Sequence, residues 1–405
     1  MHVLQLSWEF PPHVVGGLGR HVSDLTPALA DAGVCLSVTT PLLRGDAAAD
    51  YPWPGIRVNR VPTPPMTAYD FPSFVAETNR RMERATLTAF GSAGRPDLIH
   101  AHDWLVAEAA ISLKHHWRIP LVATIHATER GRHNGYVHTP ETRRVNDIEW
   151  RLTYEAWRVI VCSQYMIGQI ETYFQTPADK IDLIPNGVSI HQYPFQHEAE
   201  RAAFRRRFVA PDQALVFSVG RLVREKGLHL LIDAWPAINA AVPARLVIAG
   251  SGDQLDALKA QAAGLGMERL ISFVGFITDD DRDRLYHAAD LAVFPSLYEP
   301  FGIVALEACA AGCPVLVAAT GGLAEVIDPD VTGIVVPADD VGALREGVQL
   351  ALRDSPAAAT RAEHALAMVR SRYTWPGIAA DTLHVYRRVH GEWLALPWGK
   401  ELIVR

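Results

Sequence analysis

An arginine and a lysine stand five residues apart in the stretch GRLVREKG, residues 220–227. Arg221 and Lys226 follow a short apolar run that predicts a strand, so both lie at a strand-to-helix turn. Fixed cations at such a turn suit a diphosphate, which a guanidinium binds through paired hydrogen bonds and an ammonium binds as a point charge. A solvated basic loop is the alternative, and this motif alone leaves both readings open.

Two carboxylates lie eight residues apart in EPFGIVALE, residues 299–307. Glu307 falls in an apolar helical stretch, where a buried carboxylate is costly unless a hydroxyl or a cation pairs with it. Gly302 lies near the start of this predicted helix, whose first amides could bind an anion. Glu299 and Glu307 therefore suit sugar and ribose hydroxyls; the alternative is one capping and one ion-paired glutamate.

A glycine-rich loop, GGLGR at residues 16–20, follows the first predicted strand and opens a helix. Gly16 and Gly17 would let backbone amides approach an anion, and the helix N-terminus adds partial positive charge. The spacing is not that of a dinucleotide site, and no acidic residue follows the second strand as a ribose ligand. A turn shaped only for packing is the alternative.

Histidines end two successive predicted strands, in HAHDW at residues 100–104 and in TIHATERGR at residues 124–132. A single histidine is usually structural. Polar clusters after two neighbouring parallel strands would meet at one sheet edge, so we predict a functional cluster that includes His102, Asp103 and His126.

Short apolar runs alternate with amphipathic segments along the whole chain. Runs that are apolar on both sides of the strand period are typical of buried parallel strands, so the chain is predicted to be α/β. The helical pattern is clearest at residues 17–32, 71–90, 104–116 and 375–390. The predicted strands are residues 2–7, 35–40, 56–61, 97–101, 121–125, 159–162 and 181–184, then 214–219, 244–249, 271–274, 291–295, 314–318 and 333–336.

The length of 405 residues favours two domains, because single cores stop growing near about 250–300 residues. We predict two Rossmann-like, doubly wound domains that face a central cleft. The first is residues 1–188, with a C-terminal helix of about residues 375–405 packed back on it, and the second is residues 197–374. The hinge is expected near residues 186–196, where turn residues cluster.

Composition narrows the class of protein further. The net charge of −7 argues against nucleic acid as a partner. No apolar run is long enough to cross a bilayer, and the N-terminus predicts a strand instead of a signal peptide. We expect a soluble, cytoplasmic protein whose four cysteines are buried free thiols, with no metal centre, since no histidine or cysteine pair has matching zinc-site spacing.

Taken together, the motifs resemble the retaining glycosyltransferases of family 4, in the superfamily that also holds bacterial and archaeal glycogen synthases. The motifs that carry the resemblance are FPPHVVGGLGRH, HAHDW, TIHATERGR, PNGV, GRLVREKG, VIAGSG, FVGF and YEPFGIVALEACAAGCPVLV, which are spread over nearly the whole chain. The glycine loop differs from the lysine loop of glycogen synthases, because Val15 precedes its glycines.

The resemblance implies a GT-B fold whose second domain binds most of a nucleoside-diphosphate sugar. On the matching positions, Arg221 and Lys226 would hold the diphosphate, Glu307 would bind the ribose and Glu299 would bind the transferred sugar. Further donor contacts would come from Gly16, Gly17, Phe276, Phe301, Gly302, Ile303 and Val304.

The resemblance also implies where the reaction takes place. His126 would lie beside the anomeric carbon and, with Glu299, Arg221 and Lys226, would form the catalytic set. The acceptor would be bound by His102, Asp103, Glu129 and Arg132.

The expected activity is transfer of a hexosyl group, most simply glucosyl from ADP- or UDP-glucose, with retention of configuration and without a metal or other cofactor. The acceptor would be a glucan, a sugar or a sugar phosphate, with a lipid-linked or other small acceptor as an alternative. A nucleotide-sugar epimerase on the same fold and an inactive binding protein are other classes to consider. A phosphorylase would need a buried lysine for pyridoxal phosphate, which Lys226, Lys259 and Lys400 do not offer.

Overall fold

The computed structural model of the protein describes residues 1–43, 53–91 and 94–397. The chain forms two compact units, and each is described by itself. Unit 1 comprises Met1–Gly187 together with Trp375–Arg405, and unit 2 comprises Val188–Thr374. Lys400 and the other residues from 398 to 405 lie outside the described part.

Unit 1 is built on a parallel sheet of seven strands in the order β3-β2-β1-β4-β5-β6-β7. The central strands are buried along their whole length because helices cover both faces of the sheet, which explains their continuous apolar runs. The strands are β1 (His2–Leu6), β2 (Cys35–Leu42), β3 (Ile56–Pro62), β4 (Leu98–His102), β5 (Leu121–Ile125), β6 (Arg158–Val161) and β7 (Ile181–Leu183).

In the described part of unit 1, seven helices surround this sheet. Several of their starts carry capping signals: for example, the Asp70 side chain accepts from the amide of Ser73, and Thr139 and Thr142 form a capping box. The helices are α1 (Gly17–Asp31), α2 (Phe71–Phe90), α3 (Ala107–Trp117), α4 (Glu129–Arg132), α5 (Pro140–Glu155), α6 (Gln164–Phe174) and, at the end of the chain, α15 (Trp375–Ala395).

Helix α15 completes the core of unit 1 although 187 residues separate it from the rest of the unit. Its residues Trp375 and Tyr386 are buried with Val3 and Leu25 in one apolar cluster. Gly187 makes room for the Trp375 ring, because a Cβ at that position would lie 2.7 Å from a ring carbon.

Unit 2 repeats the plan with a parallel sheet of six strands in the order β10-β9-β8-β11-β12-β13. Its core is centred on the fully buried Trp235 of helix α8 (Leu228–Ala241). The strands are β8 (Ala214–Val219), β9 (Ala244–Ala249), β10 (Ile271–Gly275), β11 (Leu291–Phe294), β12 (Val315–Ala318) and β13 (Ile334–Val336). The other helices are α7 (Glu198–Arg205), α9 (Leu255–Gly264), α10 (Asp279–Ala288), α11 (Ile303–Ala310), α12 (Leu323–Val326), α13 (Val341–Arg353) and α14 (Ser355–Arg372).

The α/β prediction with two Rossmann-like domains is confirmed, and each predicted strand is present within about two residues. The helix predicted at residues 104–116 is in fact a 3-10 turn, Trp104–Val106, followed by α3. The prediction of four buried thiols is wrong for Cys35, which is exposed because it begins β2 at the rim of the sheet; Cys162, Cys309 and Cys313 are buried. Among the described residues, no helix is both long and apolar enough to cross a membrane.

Candidate functional site

The strand order of each sheet reverses at one point, between β1 and β4 in unit 1 and between β8 and β11 in unit 2. Loops that follow the two strands of such a pair diverge to opposite faces and leave space beyond the carboxyl ends of the strands, where ligands of this fold class bind. The four predicted motifs follow β1, β4 and β5 in unit 1 and β8 and β11 in unit 2. The topology therefore places these motifs where ligands are expected to bind.

Lys226 and Glu299 meet at the switch point of unit 2. The Lys226 Nζ atom lies 2.5 Å from Glu299 Oε2, although 73 residues separate the two positions. The carboxyl oxygen also lies 3.5 Å from Ser296 Oγ. Glu299 is 8% exposed, so this ion pair forms a largely buried polar contact between the loops that follow β8 and β11.

Two glycines allow the loops around this pair to pack closely against neighbouring backbone. Gly227 has φ +64°, and a Cβ there would lie 1.9 Å from the carbonyl oxygen of Pro295. Gly250, after β9, has φ +130°, and a Cβ there would lie 1.8 Å from the carbonyl oxygen of Gly220. Both contacts are with backbone atoms, which cannot move aside without shifting the loop that carries Arg221 and Lys226.

Replacing Gly250 by alanine is therefore expected to destabilise unit 2 by more than about 1 kcal/mol, because the new methyl group combines a disfavoured φ with a backbone clash. Chemical denaturation followed by circular dichroism measures this loss. Gly264→Ala is the matched control, since no atom lies within 4 Å of a Cβ built there. Equal stability of the two variants would contradict the assigned role of Gly250.

Helix α11 begins at the same place and directs its N-terminus to the space beyond β11. Gly302, its N-cap, has φ 103°, and a Cβ there would lie 2.4 Å from a methyl carbon of Leu323. The first backbone hydrogen bond of the helix is donated by Ala305 to Gly302, so the amides of Ile303 and Val304 precede the intrahelical ladder. Such amides carry partial positive charge and suit an anion.

Glu307 lies one turn further along α11 and is held by a buried arginine. Arg282 Nη1 of α10 lies 3.1 Å from Glu307 Oε1, and both side chains are about a tenth exposed. Arg282 also contacts Asp279 at 3.0 Å and Asp283 at 2.9 Å. Burial opposes the charge of Arg282, but the surrounding carboxylates outweigh it and raise its pKa above the ordinary value. The cation that the sequence required for Glu307 is therefore Arg282.

The other residues of unit 2 that are predicted to bind the donor differ in solvent exposure. Arg221 is exposed, and Phe276 is 75% exposed directly after β10. Phe301 is 5% exposed, and its ring packs edge-on against Tyr373 with centroids 6.1 Å apart. The Phe301 side chain therefore packs in the core, and only its backbone could contact a ligand.

In unit 1, the glycine-rich loop after β1 is occupied by a carboxylate of its own chain. Glu9 Oε2 accepts hydrogen bonds from the amides of Val15 at 2.7 Å and Gly16 at 3.0 Å. A Cβ at Gly19 would lie 2.3 Å from the same oxygen, so the third glycine of the motif makes room for Glu9. The amide of Gly16, predicted to meet a donor phosphate, is thus already bonded to an anion.

Three histidine rings come together beyond β1, β4 and β5. His102 Nδ1 lies 3.3 Å from His126 Nε2, and the rings stack with centroids 5.5 Å apart. The ring of His21, on α1, lies edge-on to His126 at 4.7 Å, and its Nδ1 is 2.7 Å from Asn186 Oδ1. Burial lowers the pKa of His21 to about 4 and lowers those of His102 and His126 well below their usual range, so all three rings are neutral at pH 7.

The neighbouring His100 is structural. Its Nδ1 lies 2.6 Å from the Tyr386 hydroxyl of α15, and its Nε2 lies 2.7 Å from Thr124 Oγ1. Both ring nitrogens are therefore paired, and the ring ties α15 to the sheet.

Asp103 positions the His126 loop through the backbone. Its Oδ1 accepts from the amide of His126 at 2.7 Å, and the amide of Ala127 also bonds to the carboxyl group. Burial raises its pKa to about 7 despite these hydrogen bonds. Its backbone has φ 61° and ψ 176°, which is rare for a residue with a side chain. The structure thus places Asp103 under the loop that carries His126.

The other predicted acceptor residues lie on α4. The amide of Glu129 donates to both carboxyl oxygens of the buried Glu149, at 3.0 and 3.1 Å, and the Glu129 side chain pairs with His133 at 3.2 Å. Burial raises the pKa of Glu149 well above its usual range, and the nearby Arg132 partly offsets that effect. Glu149 therefore anchors the start of α4 from inside the unit.

Sequence reasoning missed five residues that build these sites. A recognisable signal existed only for His21, which has the spacing of Leu25 and Leu29 on the buried face of α1. The others lie in segments that read as polar and exposed, or far from their partners in the chain. The missed residues are Glu9, His21, Glu149, Asn186 and Arg282.

Comparison with known proteins shows which family the chain belongs to. The model named Glycosyltransferase Family 4 matches residues 15–192, and the model named Glycosyl transferases group 1 matches residues 200–368. The glycogen synthase of Mycobacterium tuberculosis is 39% identical to the chain, over 95% of this chain and 94% of its own length. The chain belongs to glycosyltransferase family 4.

Two further proteins are similar to nearly the whole chain. A D-inositol 3-phosphate glycosyltransferase of Pseudarthrobacter chlorophenolicus is 29% identical over 92% of this chain and 90% of its own length. A solved sucrose-phosphate synthase from Thermosynechococcus elongatus has a TM-score of 0.84 at 26% identity, and the match covers 97% of this chain and 100% of that one. The protein is thus a glycosyltransferase with the GT-B fold, and this membership favours transfer over the epimerase alternative.

Proposed function

We propose that this family 4 enzyme transfers a glucosyl group from a nucleoside-diphosphate glucose to an α-glucan or a sugar phosphate, with retention of configuration and without a metal ion. The observation that carries the proposal is the Lys226–Glu299 pair beside the N-terminus of α11, because it joins a phosphate-binding cation to a hydroxyl-binding carboxylate at one point. The 39% identity to a glycogen synthase supports glucose as the transferred sugar. The inositol-phosphate and sucrose-phosphate enzymes among its relatives support a phosphorylated acceptor as the second choice.

In the proposed reaction, the bond between the anomeric carbon and the diphosphate oxygen breaks, and negative charge develops on the leaving group. The ammonium of Lys226 and the guanidinium of Arg221 stabilise that charge, together with the amides of Ile303 and Val304. Lys226 is held by Glu299 and the two amides are fixed at the start of α11 before the substrate binds, so little reorganisation of these groups accompanies the chemical step.

The two glutamates take different parts of the donor in this proposal. Glu299 accepts hydrogen bonds from hydroxyls of the transferred sugar, while its contact with Lys226 holds the carboxylate in position. Glu307 accepts from the ribose hydroxyls, and Arg282 fixes its orientation from behind. Each of the two carboxylates therefore has its own cationic partner, Lys226 for Glu299 and Arg282 for Glu307.

The acceptor binds to unit 1 in the proposal, near His126 and the residues of α4. The acceptor hydroxyl attacks the anomeric carbon on the face that the diphosphate leaves, and its proton passes to the leaving phosphate oxygen. The new bond therefore has the configuration of the broken one. His126 contacts the sugar, and Asp103 holds the His126 backbone in position.

The deciding experiment offers ADP-, UDP- and GDP-glucose in turn, with a maltooligosaccharide, glucose 1-phosphate or inositol 3-phosphate as acceptor. One donor is expected to raise the melting temperature, because a ligand that binds the native state stabilises it by mass action. The same donor should give an α-linked product, read from the anomeric proton coupling by NMR, at an unchanged rate in EDTA.

A β-linked product would contradict retention, and loss of turnover in EDTA that added magnesium restores would contradict metal independence. An epimerised nucleotide sugar formed in the absence of acceptor would overturn the proposal as a whole.

A further inference from the structure

The three rings of His21, His102 and His126 offer nitrogen ligands from three different elements of unit 1. One nitrogen of each ring lies within 4.8 Å of the other two. These residues come from α1, from the end of β4 and from the residue after β5, so the positions of the rings are set by the sheet and by the helix that packs on it. Three imidazoles converging on one point are the ligand set of many zinc sites.

Two of the rings present nitrogens whose hydrogen-bonding capacity is unused. His21 Nε2 and His102 Nε2 are buried and have no hydrogen-bond partner among the described residues. Both residues are at least nine-tenths buried, at 4% and 0% exposure. Unpaired buried polar atoms are uncommon in folded proteins, and an unoccupied ion site is one physical explanation for them.

The hydrogen bonds that orient the histidines resemble those around the ligands of a metal site. Asn186 Oδ1 lies 2.7 Å from His21 Nδ1, which makes Nδ1 the protonated nitrogen and leaves a lone pair on Nε2. Asp103 follows His102 directly and accepts a hydrogen bond from the amide of His126 at 2.7 Å, so it fixes the backbone that carries the third ring.

The three ring nitrogens need to move only slightly closer together to bind one ion. Two nitrogens bound at about 2.0–2.1 Å to a tetrahedral ion lie about 3.3–3.4 Å apart. Nitrogens within 4.8 Å of each other reach that spacing when each moves by about 0.7 Å or less. His126 is only partly buried, which leaves a fourth position on the ion for water or another ligand.

We propose that His21, His102 and His126 form a binding site for one zinc-class divalent ion per chain, and that the ion inhibits glycosyl transfer by occupying the His126 ring. Imidazole ligands favour zinc, cobalt, nickel and copper over magnesium or calcium. The ion is a reversible inhibitor and not a cofactor. Its binding is independent of the proposed function, whereas the inhibition rests on that function.

The test titrates the full-length, chelator-treated protein with Co²⁺, whose visible d–d bands report a nitrogen-rich tetrahedral site. One ion per chain is expected, displaced by Zn²⁺, with the bands lost in His21→Gln and in His102→Gln. Asn186→Ala should weaken the affinity about 10–100-fold, because it removes the partner of His21 Nδ1. His384→Gln, an exposed histidine on α15, is the matched control and should bind as the native chain does.

A crystal of the native chain soaked in Zn²⁺ supplies a readout that needs no variant to fold. An anomalous peak within about 2.1 Å of a nitrogen of each of the three rings supports the site. Absence of d–d bands together with a peak only at surface histidines overturns it. In the transfer assay, Zn²⁺ should inhibit at one equivalent, and EDTA should restore activity. Transfer that persists when the site is filled would overturn the proposed inhibition. A chain that binds the ion but never transfers sugar would instead count against the proposed function.

Discussion

Replacing Lys226 by glutamine is expected to lower kcat/KM for the nucleotide sugar about 100–1,000-fold, the usual effect of removing one preorganised group that stabilises charge in the transition state. Glutamine keeps a hydrogen-bond donor for Glu299, which lies 2.5 Å from the lysine Nζ atom, so the carboxylate remains paired while the positive charge is lost. Steady-state kinetics at several donor concentrations separate an effect on kcat from an effect on KM.

Lys259→Gln is the matched control, since Lys259 lies exposed on α9 of the same unit. It should show native kinetics, and both variants should retain the native circular dichroism spectrum. If Lys226→Gln transferred sugar as fast as the control, the diphosphate would not be bound where we propose.

Replacing Arg282 by methionine is expected to lower the free energy of unfolding by about 3–5 kcal/mol, because it removes the cationic partner of a buried carboxylate. That carboxylate is Glu307, whose side chain is 10% exposed and lies 3.1 Å from the guanidinium. Asp279 is largely exposed and should find water in the variant. Urea denaturation of the native and variant chains measures the difference.

Arg345→Met provides the control, because Arg345 pairs with Glu346 at the surface and both side chains are more than a third exposed. Its effect should stay below about 0.5 kcal/mol. The double variant Arg282→Met/Glu307→Gln should recover part of the stability lost in Arg282→Met, since it also removes the buried charge that has lost its arginine. Strict additivity of the two changes would show that the ion pair does not couple these residues.

Much of the architecture could be read from the sequence because the strands are buried on both faces. Strands such as β5, β8 and β9 have the predicted bounds, since continuous apolar runs between turn residues leave little choice of element. The motifs at their ends were recognisable for the same reason: a glycine or a charged residue directly after a buried strand breaks the pattern.

The pairings within the sites could not be read in this way. Lys226 and Glu299 are neighbours because β8 and β11 are adjacent in the sheet, and that adjacency is a property of the topology, not of local composition. Arg282 lies in DDDRDR, a segment that reads as a solvated helix face, yet it turns inward to Glu307. His21 has the spacing of the leucines on the buried face of α1, which predicts that its ring is buried but not which side chains it meets.

The carboxylate of Glu9 has a consequence for how an anion reaches the first loop of the chain. Because Glu9 already bonds to the amides of Val15 and Gly16, a phosphate arriving there must exchange with it, one anion for another. The free energy of binding at this loop is then only the difference between two similar sets of hydrogen bonds. The displaced Glu9 side chain and the neighbouring backbone must also adopt a new conformation. Under the proposed function, recognition of the sugar nucleotide at this loop and rearrangement of residues 9–16 are therefore coupled.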